Sequence, residues 1–325
     1  NWFFLYFCPK HEGSSNFITT VYNPQIGVGY VLISNLMATG IKTLLLFHEY
    51  FILKGKFVFG ILRKILPYSL PLLIAGLAGT VNEAIDRILL KHLVPDELNP
   101  LYQLGIYGAN YKIAVLMTLF IQMFRYAAEP FFFSKKNEKN AKMIYADVMK
   151  VFVFFCVIIY IFVNGFIDYF KFFIGEEFRE GIDIVPVVLL ANLFMGIFYN
   201  LSIWYKLTNL TKYGAYLVLT GAIITLIINY FFIPVYGYHA SAWGHFISYL
   251  SMIVLSFYFG RKHYKIPYDI KNILIYLSVG ILTTYGLKQI NFNNIFFEII
   301  VKISVLVLIV VYFYLREKKN LKKLT

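Results

Sequence analysis

Residues Tyr68–Leu90 read YSLPLLIAGLAGTVNEAIDRILL, a run of membrane-crossing length that carries Asn82, Glu83, Asp86 and Arg87 inside it. At 100° per residue Gly76, Gly79, Asn82, Glu83, Asp86 and Arg87 fall within roughly 140° of one another, while Leu70, Ile74, Leu77, Val81, Ile85 and Ile88 take the other side. One face suits lipid and the other does not. A charged side chain at the bilayer centre costs from ~3 to above ~10 kcal/mol, so the polar face is expected to line a bundle interior or a wet cavity. Glu83 and Arg87 stand at i,i+4 with Asp86 beside them, which predicts an ion pair along the helix.

The composition around this run agrees with a membrane class. Hydrophobic residues make up 59% of the chain, aromatic residues 19% and charged residues only 14%, with a mean hydropathy of +0.67; soluble domains carry about 25% charge. The net charge of +13 does not point to nucleic acid, because the basic residues sit in short clusters between apolar runs and leave no basic soluble domain to hold a duplex. Cys8 and Cys156 are the only cysteines, too few for a disulfide framework or a thiolate metal site.

Taken in order, the apolar runs predict nine complete spans: 28–47, 68–90, 104–133, 149–166, 184–205, 213–232, 238–259, 272–287 and 295–315. Residues 51–67 read as a short basic amphipathic connector, and 167–182 as an interfacial stretch. With the tail REKKNLKKLT placed in the cytoplasm, the segments on that side hold nineteen Lys and Arg against five on the other; this sets the orientation. The opening NWFFLYFCPK reads as the end of an apolar helix too short to cross a bilayer, so the chain is expected to be a fragment. Pro24-x-x-Gly27 and Pro234-x-x-Gly237 each precede a span entering from the same side, a weak sign of a parallel internal repeat.

In the run from Leu104, Tyr107, Tyr111, Thr118, Gln122, Arg125 and Glu129 lie within about 60° of one another, and Arg125 and Glu129 are again i,i+4. They either line a cavity or form a snorkelling pair at the interface. Lys112 sits at the depth of Asp86 on the antiparallel neighbour, where a pair between them can form. Asn192, Gly196, Tyr199, Asn200 and Lys206 share one side of a later span and read first as helix-to-helix glue. His239 and His245 read as packing histidines. No G-x-x-x-x-G-K-[ST] loop and no H-E-x-x-H occurs in the sequence, so ATP hydrolysis and zinc-protease chemistry find no motif, and no cofactor is called for.

Four runs in order, LPLLIAGLAGTVNEAIDRILL, IYGANYKIAVLMTLFIQMFRYAAEPFFF, YNLSIWYKLTNLTKYGAY and NYFFIPVYGYHASAWGHFISY, resemble the polysaccharide repeat-unit flippases of the multidrug/oligosaccharidyl-lipid/polysaccharide exporter superfamily. His245 stands where that pattern usually has a small residue or Thr. The resemblance implies an all-α polytopic transmembrane bundle comprising the end of a first lobe (1–50), the connector (51–67), a full second six-helix lobe (68–262) and two additional helices with a basic tail (263–325). About five helices of the first lobe would be missing. It further implies a multi-pass inner-membrane transporter, not an enzyme, that carries an undecaprenyl-diphosphate-linked sugar unit among membrane lipids by alternating access. Arg87, Arg125 and Lys112, with Gln122 and Asn82, would meet the substrate in one central cavity; Glu83, Asp86 and Glu129 would balance that charge or hold a coupling cation. A cation-coupled drug exporter of the same superfamily is the alternative, and a membrane sugar polymerase or ligase is disfavoured because no outer loop is large enough for a catalytic domain.

Overall fold

The computed structural model describes residues 2–11, 16–52, 58–290, 292 and 294–324. The described residues contain helices and no strand, and nine of the helices are long and apolar enough to cross a membrane. They are α1 (Tyr30–Ile52), α2 (Phe59–Leu93), α3 (Pro100–Ser134), α4 (Ala141–Gly165), α5 (Val185–Leu201), α6 (Lys212–Tyr236), α7 (Tyr238–His263), α8 (Ile270–Gln289) and α9 (Ile295–Leu324). All nine expected spans are present, and the chain is an all-α polytopic membrane bundle. It divides into two compact units, Asn1–Leu62 and Arg63–Thr325.

In the first unit, Tyr30 at the start of α1 is the anchor: its ring stacks on Phe4 at 4.6 Å and on Tyr22 at 5.2 Å, and its hydroxyl accepts from the Asn23 amide at 2.6 Å. The turn before it, Pro24–Gly29, breaks at Gly27, whose φ is 49° and ψ −123°.

The expected connector differs from expectation in one respect. Residues 53–57 lie outside the described residues, but from Phe59 onward its sequence is the first turns of α2, which continues through Pro67 and Pro71 to Leu93. The apolar residues that marked an amphipathic segment are simply the start of a longer apolar helix.

In the second unit α4 is central, packed by α3, α5, α8 and α9, while α6 and α7 form a hairpin that packs on α5. Small residues set the approach. A Cβ on Gly196 of α5 would lie 2.4 Å from the Phe152 ring of α4, and one on Gly280 of α8 would lie 2.8 Å from Val157, so these helices meet at backbone distance. The hairpin turns on one residue, Gly237, with φ 53° and ψ −133°. Gly27 and Gly237 are the two glycines with positive φ among the described residues, and they take nearly the same conformation, each after Pro-x-x and before a span. The Pro-x-x-Gly turn thus recurs with the same glycine conformation.

α3 is not uniform. Asn99, at φ 51°, caps it by accepting from the Tyr102 amide, and Pro100 opens the first turn. At Lys112–Ala114 the helix tightens for one 3₁₀ turn. Each such residue turns about 120° instead of 100°, so the two halves of α3 are offset by roughly 60°. The interfacial stretch crosses the first half: Asn110 Nδ2 donates to the Phe178 carbonyl at 2.8 Å and the Tyr102 hydroxyl to that of Glu177 at 2.8 Å.

Candidate functional site

On α2, the residues buried inside the second unit are Asn82, Asp86 and Leu90, at i, i+4 and i+8. Glu83 and Arg87 sit one position further round and are exposed. The polar face read from the sequence is therefore split into a buried line and a line that opens on cavities.

A cavity of about 480 Å³ gathers Asn82 and Glu83 from α2, Thr118, Gln122, Arg125 and Glu129 from α3, Tyr199 and Lys206 from α5 and the turn after it, and Tyr249 from α7. Five of the eight site residues expected from the sequence meet here. Arg87 and Lys112 do not. They line a second cavity of about 720 Å³ with Gly105, Gly108, Tyr111, Phe173 and Phe178. Asp86 lines neither cavity. The residues expected from the sequence to share one cationic centre are divided here between two cavities.

The predicted ion pairs also change partners. Among the described residues no ion pair joins Glu83 to Arg87, Arg125 to Glu129, or Lys112 to Asp86. Glu129 Oε1 instead accepts from Lys206 Nζ at 2.8 Å. Arg125 lies over the Tyr199 ring at 4.8 Å and Arg87 over the Tyr111 ring at 5.4 Å. A guanidinium on an aromatic face is held by the ring quadrupole and keeps its donors free. Asp86 Oδ2 stands 3.4 Å from His245 Nε2, both side chains buried. Spacing on one helix names a pair that can form; residues arriving from other helices decide which one does.

Between the chambers runs a polar chain. The Tyr111 hydroxyl donates to Asn192 Oδ1 at 3.4 Å, and Asn192 Nδ2 donates to Thr118 Oγ1 at 3.3 Å. Tyr111 borders the larger chamber and Thr118 the smaller. Asn192 thus ties α5 to α3 on both sides of the 3₁₀ turn.

Sequence reading missed a cluster at the far side of the unit. Lys150 Nζ lies 3.8 Å from Asp147, 3.5 Å from Asp269 and 3.4 Å from Glu317, joining α4 to the start of α8 and the C-terminal part of α9. Tyr276 donates to Glu317, and Arg316 donates to Asn272. Burial alone would raise the Asp269 carboxyl, but hydrogen bonds from Asn272 and the nearby Lys150 outweigh it and hold the group below its ordinary 3.8. Among the described residues no group of three or more His, Cys, Asp or Glu side chains is arranged to hold a metal. Comparison with protein-family models, curated proteins and solved structures finds no match for this chain.

Proposed function

We propose that the protein carries an anionic, lipid-linked oligosaccharide across the inner membrane by alternating access, with its C-terminus in the cytoplasm. The observation that carries this reading is the pair of chambers whose arginines rest on tyrosines instead of being locked to carboxylates. Free guanidinium forks suit the oxygens of a diphosphate, and the adjoining tyrosine and phenylalanine faces suit sugar rings. Arg87 and Lys112 would meet the anion in one chamber, and Arg125, Gln122 and Asn82 in the other. Glu83, and Glu129 already bound to Lys206, keep the smaller chamber from excess positive charge. The working form is read as containing a further lobe of the same protein, with membrane lipids around it and the lipid tail of the cargo left in the bilayer.

A cation-coupled drug exporter would be served by an acidic aromatic cavity, and four fixed cations in the two chambers, Arg87, Lys112, Arg125 and Lys206, weigh against it. The test is loss of the intact gene. Lipid-linked sugar units should then accumulate on the cytoplasmic leaflet and surface polysaccharide should fall. A change in drug sensitivity alone, with polysaccharide intact, would replace this reading by the exporter.

A further inference from the structure

The two chambers differ in charge. Arg87 and Lys112 line the larger one, and no Asp or Glu stands among its described lining residues, so two fixed positive charges have nothing beside them to offset them. Both residues are exposed, and neither makes an ion pair among the described residues. The smaller chamber brings together Arg125, Lys206, Glu83 and Glu129, two charges of each sign. Lys206 Nζ donates to Glu129 Oε1 at 2.8 Å. That leaves Arg125, lying on the Tyr199 ring, and Glu83, which makes no ion pair among the described residues, to meet a ligand there.

These surroundings select different chemistry. A diphosphate is bound by cations free of carboxylates, and Arg87 offers it a planar fork while Lys112 adds a point charge. A sugar is bound by groups that both give and take hydrogen bonds. Arg125 only donates, Glu83 only accepts, and Gln122 in the same chamber does both. An acidic sugar would set a further negative charge against Glu83 and leave the chamber net negative, the repulsive element by which a site rejects a competing ligand. The spacing suits adjoining parts of one molecule. Glu83 and Arg87, one in each chamber, are i,i+4 on α2 and so about 6 Å apart along its axis. A single amide, that of Asn192, bridges Tyr111 of the larger chamber to Thr118 of the smaller.

We propose that the larger chamber takes the diphosphate of the cargo and the smaller one the sugar next to it, with Glu83 selecting a sugar that carries no net charge. This division rests on the lipid-linked reading given above. It can be tested by binding to the full chain in lipid nanodiscs, with inorganic pyrophosphate, a short-chain prenyl diphosphate, and the same prenyl diphosphate bearing either a neutral hexose or a hexuronic acid. Arg87→Gln should weaken all three lipid probes alike, about ten- to hundredfold, the worth of one charge-assisted hydrogen bond. Arg125→Gln should instead erase the gain in affinity that the hexose adds to the bare diphosphate. The parent should prefer the hexose probe to the hexuronic acid by about tenfold or more, and Glu83→Gln should abolish that preference. Arg87, Arg125 and Glu83 are all exposed, so each variant should keep the unfolding temperature of the parent; where Arg87→Gln does not, Arg87→Lys takes its place and should weaken the same three probes. An Arg125→Gln loss as large on the bare diphosphate as on the hexose probe overturns the proposal and leaves the lipid-linked reading standing. So does a parent that binds the hexuronic acid as tightly as the hexose. Inorganic pyrophosphate bound as tightly as the prenyl diphosphate would make the larger chamber a site for a free anion and overturn the proposal too. Failure of every lipid probe to bind the parent overturns the lipid-linked reading along with it.

Discussion

A guanidinium locked to a carboxylate has spent its best donors, whereas one lying on a tyrosine still offers them to a ligand. Arg87 and Arg125 are of the second kind, and this changes what substitution should do. Arg87→Lys keeps the charge near Tyr111 but loses the planar fork, so membrane abundance should stay near that of the parent while transport falls about ten- to hundredfold, the worth of the ~1.5–3 kcal/mol in a charge-assisted hydrogen bond. Because Glu83 does not pair with Arg87, adding Glu83→Ala to Arg87→Ala should restore neither abundance nor transport; immunoblots of membranes and a lipid-flipping assay read the two separately. Recovery of abundance in the double variant would show the two charges to be coupled after all. The sequence placed Asn82, Glu83, Asp86 and Arg87 on one polar face because helical period alone determines that. It did not name their partners, since Tyr111, Tyr199, Lys206 and His245 come from other helices and no spacing rule connects them.

At the scale of elements, α8 and α9 are held to α4 by contacts of two kinds. Gly280 lets α8 reach Val157, and Lys150 draws in Asp269 and Glu317. Lys150 and Glu317 are both buried, with side chains 8% and 2% exposed, so Lys150→Met leaves carboxylates uncompensated and should cost ~3–5 kcal/mol. Thermal unfolding in detergent should register a clear drop, and combining Lys150→Met with Glu317→Gln should recover part of it. Asp269 supplies the pH dependence. Its carboxyl is depressed below 3.8, so its contribution is present above that ordinary value and is lost as pH falls through the lower folded one. Proteolysis of the connection at 264–268 should therefore stay constant down to about pH 4 and rise only below it, and Asp269→Asn should erase that rise. Span number and order were readable because long apolar runs are unambiguous. The Lys150 cluster was not, since its members lie in the margins of three different runs, where Lys and Glu look like ordinary interfacial residues.

For the whole molecule, the asymmetry of nineteen Lys and Arg in the segments on the C-terminal tail's side against five on the other makes orientation a matter of direct labelling. Cysteines at Asn99 and Asn137 should react with an impermeant reagent from outside and inside respectively, with little background from Cys8 and Cys156, which are both buried. Opposite labelling would invert the protein. Pro-x-x-Gly recurs with the same glycine conformation before α1 and α7. The two glycines should nevertheless differ under substitution. A Cβ on Gly27 meets nothing within 4 Å, while one on Gly237 would lie 2.4 Å from Gln103 Oε1, so Gly27→Ala should show only the ~1–3 kcal/mol of backbone strain and Gly237→Ala more, by the same unfolding assay. That single-residue turn also bears on how the chain is made. α6 ends at Tyr236 and α7 begins at Tyr238, leaving no soluble tether that could wait outside while the ribosome finishes the next segment. The two helices must leave the insertion machinery as one hairpin, and an epitope spliced at Gly237 should trap the nascent protein at that stage while the same epitope beside Asn137 is tolerated.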